Sequence, residues 1–132
     1  MSATAFLREA TEFHRSGKLA RARTLYERYL KAAPRDFDAR YMLAMLECQD
    51  GRCGVALGPL RRLTAERPER HDVRYTLGRA LNELGRYGEA VSVFAPVLET
   101  APDNAEAFLE SARALVALDD AAAARRVCAR GL

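Results

Sequence analysis

Few side chains in this sequence come in the types and spacings that chemistry needs. Histidine occurs at His14 and His71, and cysteine at Cys48, Cys53 and Cys128. A zinc site asks for about four such ligands in short, paired spacings. Here no C-x-x-C is present, and neither histidine has a second ligand near it in sequence. An odd, badly spaced cysteine set is no disulfide framework either, so packing as small buried or half-buried side chains is the expected role. Ser16, Ser92 and Ser111 lie in no G-x-S-x-G setting, and there is no glycine-rich phosphate loop. The expectation is a chain that is not an enzyme and holds no metal or cofactor.

Composition narrows the alternatives. With 132 residues, 49% apolar and 30% charged, the chain suits one folded domain over residues 1–132. No apolar run approaches the roughly 20 residues of a membrane-spanning helix. Arg8, Glu9 and Glu12 interrupt the first hydrophobic turn, which argues against a secretory signal, and with Met1 as the start a cytoplasmic address is expected. The net charge is +3, and all basic residues except Lys18 and Lys31 are arginines. That arginine bias, with the many alanines, points to a GC-rich bacterial genome. Residues 3–36 carry 8 basic and 4 acidic groups, whereas residues 71–104 carry 3 and 5. A nucleic-acid binder shows a stronger basic stripe with aromatics interleaved. Nucleic acid is therefore not an expected partner.

One period positions everything else. Pro34, Pro68 and Pro102 recur every 34 residues, as do Gly17, Gly51 and Gly85, with Asp119 in the next place. Ala22, Ala56, Ala90 and Ala124 keep the same step, and so do Ala10, Ala44, Gly78 and Ala112. Several columns in one register are the mark of a repeat architecture. Within the third unit, Val73, Leu77, Ala80, Leu81 and Leu84 form one helical stripe, and Tyr87, Ala90, Val91, Phe94, Val97, Leu98 and Ala101 another. Gly85 ends the first, and Pro102 stops the second. Helices are predicted over 3–16, 19–32, 37–50, 53–66, 71–84, 87–100, 105–118 and 121–131, with Asp36 and Asp103 or their neighbours as caps. Small Gly78 and Ala90 make room where antiparallel helices cross, and Tyr75, Leu81, Tyr87 and Phe94 fill it. No pair can bury its stripe alone, so each must dock on the next.

On Leu77-Gly78, Leu81, Gly85, Tyr87, Ala90, Phe94 and Pro102, the chain resembles the tetratricopeptide repeat family. The likeness spans repeats 3–36, 37–70, 71–104 and a partial 105–132. Glu9 departs from the pattern in the first repeat, as do Arg40 and Glu47 in the second, where large apolar groups are usual. Glu47 is expected to pair with a nearby arginine or tilt to solvent. Pro59 and Pro96 fall inside second helices and are expected to bend them on the outer surface. The fold that the resemblance implies is an all-α, right-handed α-solenoid of four antiparallel helix pairs.

The resemblance further implies that first helices line a concave groove. Carried over position by position, the third repeat would offer Asp72, Tyr75, Arg79, Asn82 and Glu83, and the second Asp38, Tyr41, Met45, Cys48 and Gln49. The first would offer Thr4, Leu7, Thr11, His14 and Arg15, and the fourth Glu106, Leu109, Arg113, Val116 and Ala117. Tyr41 and Tyr75 would lie side by side, as would Arg79 and Arg113. Tyr and Arg are the usual interface anchors. The implied function is a protein-interaction scaffold gripping an extended peptide or partner helix, with Tyr41, Tyr75, Arg79, Asn82 and Arg113 as principal contacts. The carboxylate clamp of the chaperone-binding members is not reproduced, because Leu7 and Thr11 occupy its early positions. An alternative is the recruiting N-terminal segment of a larger enzyme, such as a bacterial glycosyltransferase or sulfotransferase. Finally, Ala114, Leu115, Leu118, Val127 and Leu132 would present an uncovered apolar edge, met by further chain or by self-association.

Overall fold

In the computed structural model, residues 2–129 are described, apart from the side chains of Ala123, Ala124 and residues 126–129. Every regular element among them is an α-helix. The chain divides into two compact units, Met1–Ala65 and Glu66–Leu132. The first contains α1 (Ala3–Arg15), α2 (Leu19–Ala32), α3 (Phe37–Gln49) and α4 (Cys53–Glu66, which ends one residue past the division). The second contains α5 (His71–Glu83), α6 (Tyr87–Thr100) and α7 (Ala105–Ala129). No described helix is long and apolar enough to cross a membrane.

The helices begin where a side chain can accept the orphan amides of the first turn. Ser2 Oγ accepts from the Ala5 amide at 3.3 Å, Asp36 Oδ1 from Ala39 at 3.1 Å, and Asn104 Oδ1 from Ala107 at 3.1 Å. These three share one column of the repeat; Arg70, the fourth member, caps nothing with its side chain. The cap of α7 is thus Asn104, not Asp103, because only the residue just before the helix can reach its third amide.

Helix ends follow from glycine. After α1, the Lys18 amide bonds the Phe13 carbonyl at 2.9 Å and the Gly17 amide bonds that of His14 at 3.1 Å. The same double closure recurs as Arg52 to Glu47 (2.8 Å) with Gly51 to Cys48 (3.1 Å), and as Arg86 to Leu81 (2.8 Å) with Gly85 to Asn82 (3.0 Å). It requires a left-handed residue, and Gly17, Gly51 and Gly85 supply it with φ of 81°, 75° and 75°.

The fourth turn fails on the same logic. Asp119 occupies the glycine column, and an L side chain in that conformation costs about 1–2 kcal/mol. Alanines 121–124, the strongest helix formers, follow at once. The helices expected over 105–118 and 121–131 are therefore joined in one, α7, and the fourth hairpin does not form. Pro59 and Pro96 do lie inside α4 and α6, and both helices continue through them.

In unit 1, α1 packs on α2 and α2 on α3 around buried Ala10, Ala22, Tyr26 and Leu46, with Leu7, Phe13, Leu25 and Met42 against them. In unit 2, α5, α6 and α7 pack mutually. Val73, Leu77, Leu81, Ala90, Phe94 and Val97 are buried there, whereas Leu84 is exposed.

Candidate functional site

The face on which unit 2 gathers its polar side chains is made by α5 and α7. Helix spacing puts Tyr75, Arg79, Asn82 and Glu83 on one side of α5. Arg79 lays its guanidinium 6.0 Å from the centre of the Tyr75 ring, and no ion pair engages it among the described residues. The Tyr75 ring rests in turn on Phe94, with centroids 6.0 Å apart. Burial is the main reason the Tyr75 phenol is pushed above its ordinary value; Arg79 opposes this, and Glu106 and Glu110 add to it. An anchored aromatic beneath an unpaired, exposed guanidinium can hold a carboxylate by two parallel bonds.

Across from α5, Arg113 stands 3.7 Å from Glu83 Oε1 and 3.7 Å from Glu110 Oε2. These are loose, solvated contacts, and the side chains remain free to re-pair. Leu109 is exposed beside them. Asp72 is held by Arg70 through two bonds of 3.0 and 2.9 Å, and these chiefly keep its carboxyl below the ordinary range.

Two expected contact residues are placed differently. Asn82 is only 2% exposed, and its amide donates to the Glu110 backbone carbonyl and to Glu110 Oε2, both at 3.0 Å. It ties α5 to α7 and has no donor left for a peptide. Tyr41 is 8% exposed, so its ring is turned into the body of unit 1. In both cases the residue sits at the border of the helix stripe, where a neighbouring side chain decides between surface and core.

In unit 1, Thr4, Leu7, Arg8, Thr11, Glu12 and Arg15 line a shallow hollow of about 360 Å³ along α1. His14 turns away from it. It bonds the Tyr26 hydroxyl through Nδ1 at 3.0 Å and Gln49 Oε1 through Nε2. His14 thereby links α1, α2 and α3, and Gln49, an expected groove residue, is engaged as its acceptor. Met45 is half-buried on the same helix as Gln49. Glu47, 6% exposed, receives Arg23 Nε at 2.6 Å and lies 3.3 Å from Arg52 Nε. Pairing with arginine, rather than solvent, is how this residue is accommodated. Cys48 and Cys53 form no disulfide among the described residues. The side chains of Ala124, Val127 and Cys128, and residue Leu132, lie outside the described residues.

Glu110 and Tyr26 were not among the residues singled out from sequence. Glu110 shares a helix face with Glu106 and Arg113, a charge pattern that could have marked it. Tyr26 carried only a core signal.

Known proteins bear the same signature. A family model described as "Tetratricopeptide repeat" matches residues 81–132, and one described as "Anaphase-promoting complex, cyclosome, subunit 3" matches residues 15–97. No curated protein matches the sequence. Among solved structures, MamA of AMB-1 is 24% identical over 90% of this chain, with a TM-score of 0.81. The present chain spans 65% of that one. YrrB, a TPR protein with an unusual peptide-binding site, is 26% identical over 89% of this chain and 66% of its own, with a TM-score of 0.78. The first TPR of Spaghetti (RPAP3), bound to the HSP90 peptide SRMEEVD, is 22% identical over 89% of this chain and 93% of its own, with a TM-score of 0.81. These likenesses establish the all-α repeat class read from the 34-residue spacing.

Proposed function

Because this chain belongs to the tetratricopeptide repeat family, we propose that it is a non-catalytic protein-interaction scaffold whose α5–α7 face grips a peptide or partner helix. The observation that carries this reading is the Tyr75–Arg79 stack, an exposed cation held over a fixed ring with no carboxylate paired to it among the described residues. Arg79 would take an acidic side chain of the partner. Leu109 would take an apolar one, and Glu83 and Arg113 would re-pair around it. In unit 1 the corresponding contributors are Met45 and Gln49. The unusual peptide-binding site of YrrB and the HSP90 peptide bound by the first TPR of Spaghetti support a peptide as ligand. An HSP90-type carboxylate clamp is not proposed, since Leu7 and Thr11 stand where its polar groups would be.

The test is selection of binders from a displayed peptide library, followed by calorimetry on the selected peptide. Tyr75→Ala and Arg79→Ala should each weaken it by about tenfold or more, which is roughly 1.4 kcal/mol. Unchanged affinity in both variants would place the ligand elsewhere.

A further inference from the structure

Antiparallel pairing of α1 and α2 sets Phe6 against Arg28 and Phe13 against Arg21 along one flank of unit 1. The Arg28 guanidinium lies 5.8 Å from the centre of the Phe6 ring and that of Arg21 5.6 Å from Phe13, where Lys18 Nζ also stands, at 5.9 Å. Both rings are half-buried, and all three cations are exposed. No carboxylate pairs with any of the three among the described residues. Phe6 and Phe13 are seven residues apart, as are Arg21 and Arg28. Each pair therefore recurs after about 10.5 Å of helix and within about 20° of one direction. The flank is a straight row of cations, restrained by an aromatic backing. It lies in the part of the chain where basic groups most outnumber acidic ones, 8 to 4 over residues 3–36.

Charge complementarity asks for an anionic partner, and the spacing decides which kind. A guanidinium laid over a ring keeps its N–H edge for two parallel bonds to a carboxylate or phosphate. With cations already over the rings, no base can stack there, which removes the usual purchase of single-stranded nucleic acid. Phosphates of one duplex strand advance about 10.2 Å in three steps but turn through about 100°, so they leave a straight row after one contact. An extended peptide repeats on one face about every 6.7 Å, and no multiple of that step meets the row. An α-helix does meet it, because its own side chains recur after seven residues at the same ~10.5 Å. We infer that the α1–α2 flank of unit 1 docks an acidic partner helix. Two of its carboxylates, seven residues apart, are taken by Arg21 and Arg28, with Lys18 beside the Arg21 end, and the ring edges receive its apolar side chains. Glu9 is half-buried on α1, and helix phase places it between Phe6 and Phe13. It repels a carboxylate at the middle of the docked helix and so favours carboxylates at the two ends. The inference does not rest on the peptide-binding reading of the α5–α7 face.

Fluorescence anisotropy on the full 132-residue chain tests it. The probes are an alanine-based helical peptide with glutamates at heptad spacing, an isomer with the same glutamates dispersed round the helix, and an oligothymidylate; cosedimentation with phosphatidylserine vesicles runs beside them. The heptad peptide should bind at least about tenfold more tightly than its isomer, and more weakly as salt rises. Arg21→Ala combined with Arg28→Ala should weaken it at least about tenfold, with helicity retained by circular dichroism. Arg21→Lys combined with Arg28→Lys should recover only part of that loss, because an ammonium lacks the planar fork. Glu9→Gln should tighten binding. Equal affinity for the two peptides overturns the inference, as does a heptad peptide indifferent to the paired alanine substitutions. Dependence on Arg79 in place of Arg21 and Arg28 would put the peptide on the α5–α7 face and overturns it as well. So does a preference for the oligothymidylate or the vesicles over the peptide.

Discussion

A Cβ placed on Gly78 would stand 2.5 Å from Cζ of the Phe94 ring. The glycine is therefore the socket for the largest buried aromatic of α6, and its helix approaches that ring more closely than any side chain would allow. Phe94 is fully buried and supports Tyr75 on its other side, so it has nowhere to retreat. Gly78→Ala gains about 1 kcal/mol of helix propensity but overpacks the contact by about 1–3 kcal/mol. A net loss is expected, with a lower melting temperature and a loosened Tyr75. The neighbouring Ala90→Leu, with no glycine to replace, should show the full overpacking cost. Thermal melts of the two variants check both.

Gly51 and Gly85 pose the opposite case. Nothing lies within 4 Å of a Cβ built on either, so space is not their constraint. Their φ of 75° is. Gly51→Ala and Gly85→Ala should each cost about 1–2 kcal/mol through backbone strain alone. Urea unfolding should show the two losses to be similar despite different neighbours. A negligible loss would remove the explanation given for why Asp119 lets α7 run on.

Glu47 tests what a carboxylate does at a position where the family has a large apolar group. It sits between Arg23 and Arg52, and Arg23 also reaches Asp50 at 2.5 Å. Those bonds, that to Glu47 first, raise the Arg23 pKa above its usual value. Glu47→Ala removes a charge-assisted bond and leaves a gap, so a loss of about 2–3 kcal/mol is expected in denaturant titration. Glu47→Leu should come much closer to the parent. It refills the space, and Arg23 keeps Asp50 as its partner, so no buried charge is stranded.

These cases show what could be read in advance and what could not. The 34-residue step and the glycine and proline columns located α1 to α6 within a residue or so, because each boundary is set by local backbone chemistry. The small columns at Ala10, Ala22 and Gly78 likewise predicted burial. The period predicts a hairpin where α7 is continuous, because a single turn position departs from the repeat. Replacement of one glycine by Asp119 removes a hairpin that the hydrophobic pattern still encodes. Helix phase puts Asn82 and Tyr41 toward the open face, yet both are buried, because phase shows which way a residue leans and not how far the next helix covers it. The Glu110 partner of Asn82 lies 28 residues away, beyond any local signal.

The pair Asp36–Tyr29 gives the protein a pH dependence of known sign. Asp36 caps α3 and accepts the Tyr29 hydroxyl, and that bond, followed by the Ala39 amide, holds its carboxyl below the ordinary 3.8. A depressed carboxyl stabilises the fold above its unfolded value, and this contribution is lost as pH falls through the lower, folded one. The same bond raises the Tyr29 phenol above 10.0, so at the alkaline end stability present below that value is lost as pH climbs through the raised one. Tyr29→Phe should therefore flatten both limbs of the melting temperature against pH and lower the plateau between them. Asp36→Asn keeps an acceptor for the cap but removes the charge, so it should flatten the acid limb while leaving α3 capped. Melts that still fall as steeply at acid pH in Asp36→Asn would assign the acid sensitivity to another carboxylate, with Asp72, held low by Arg70, the next to examine.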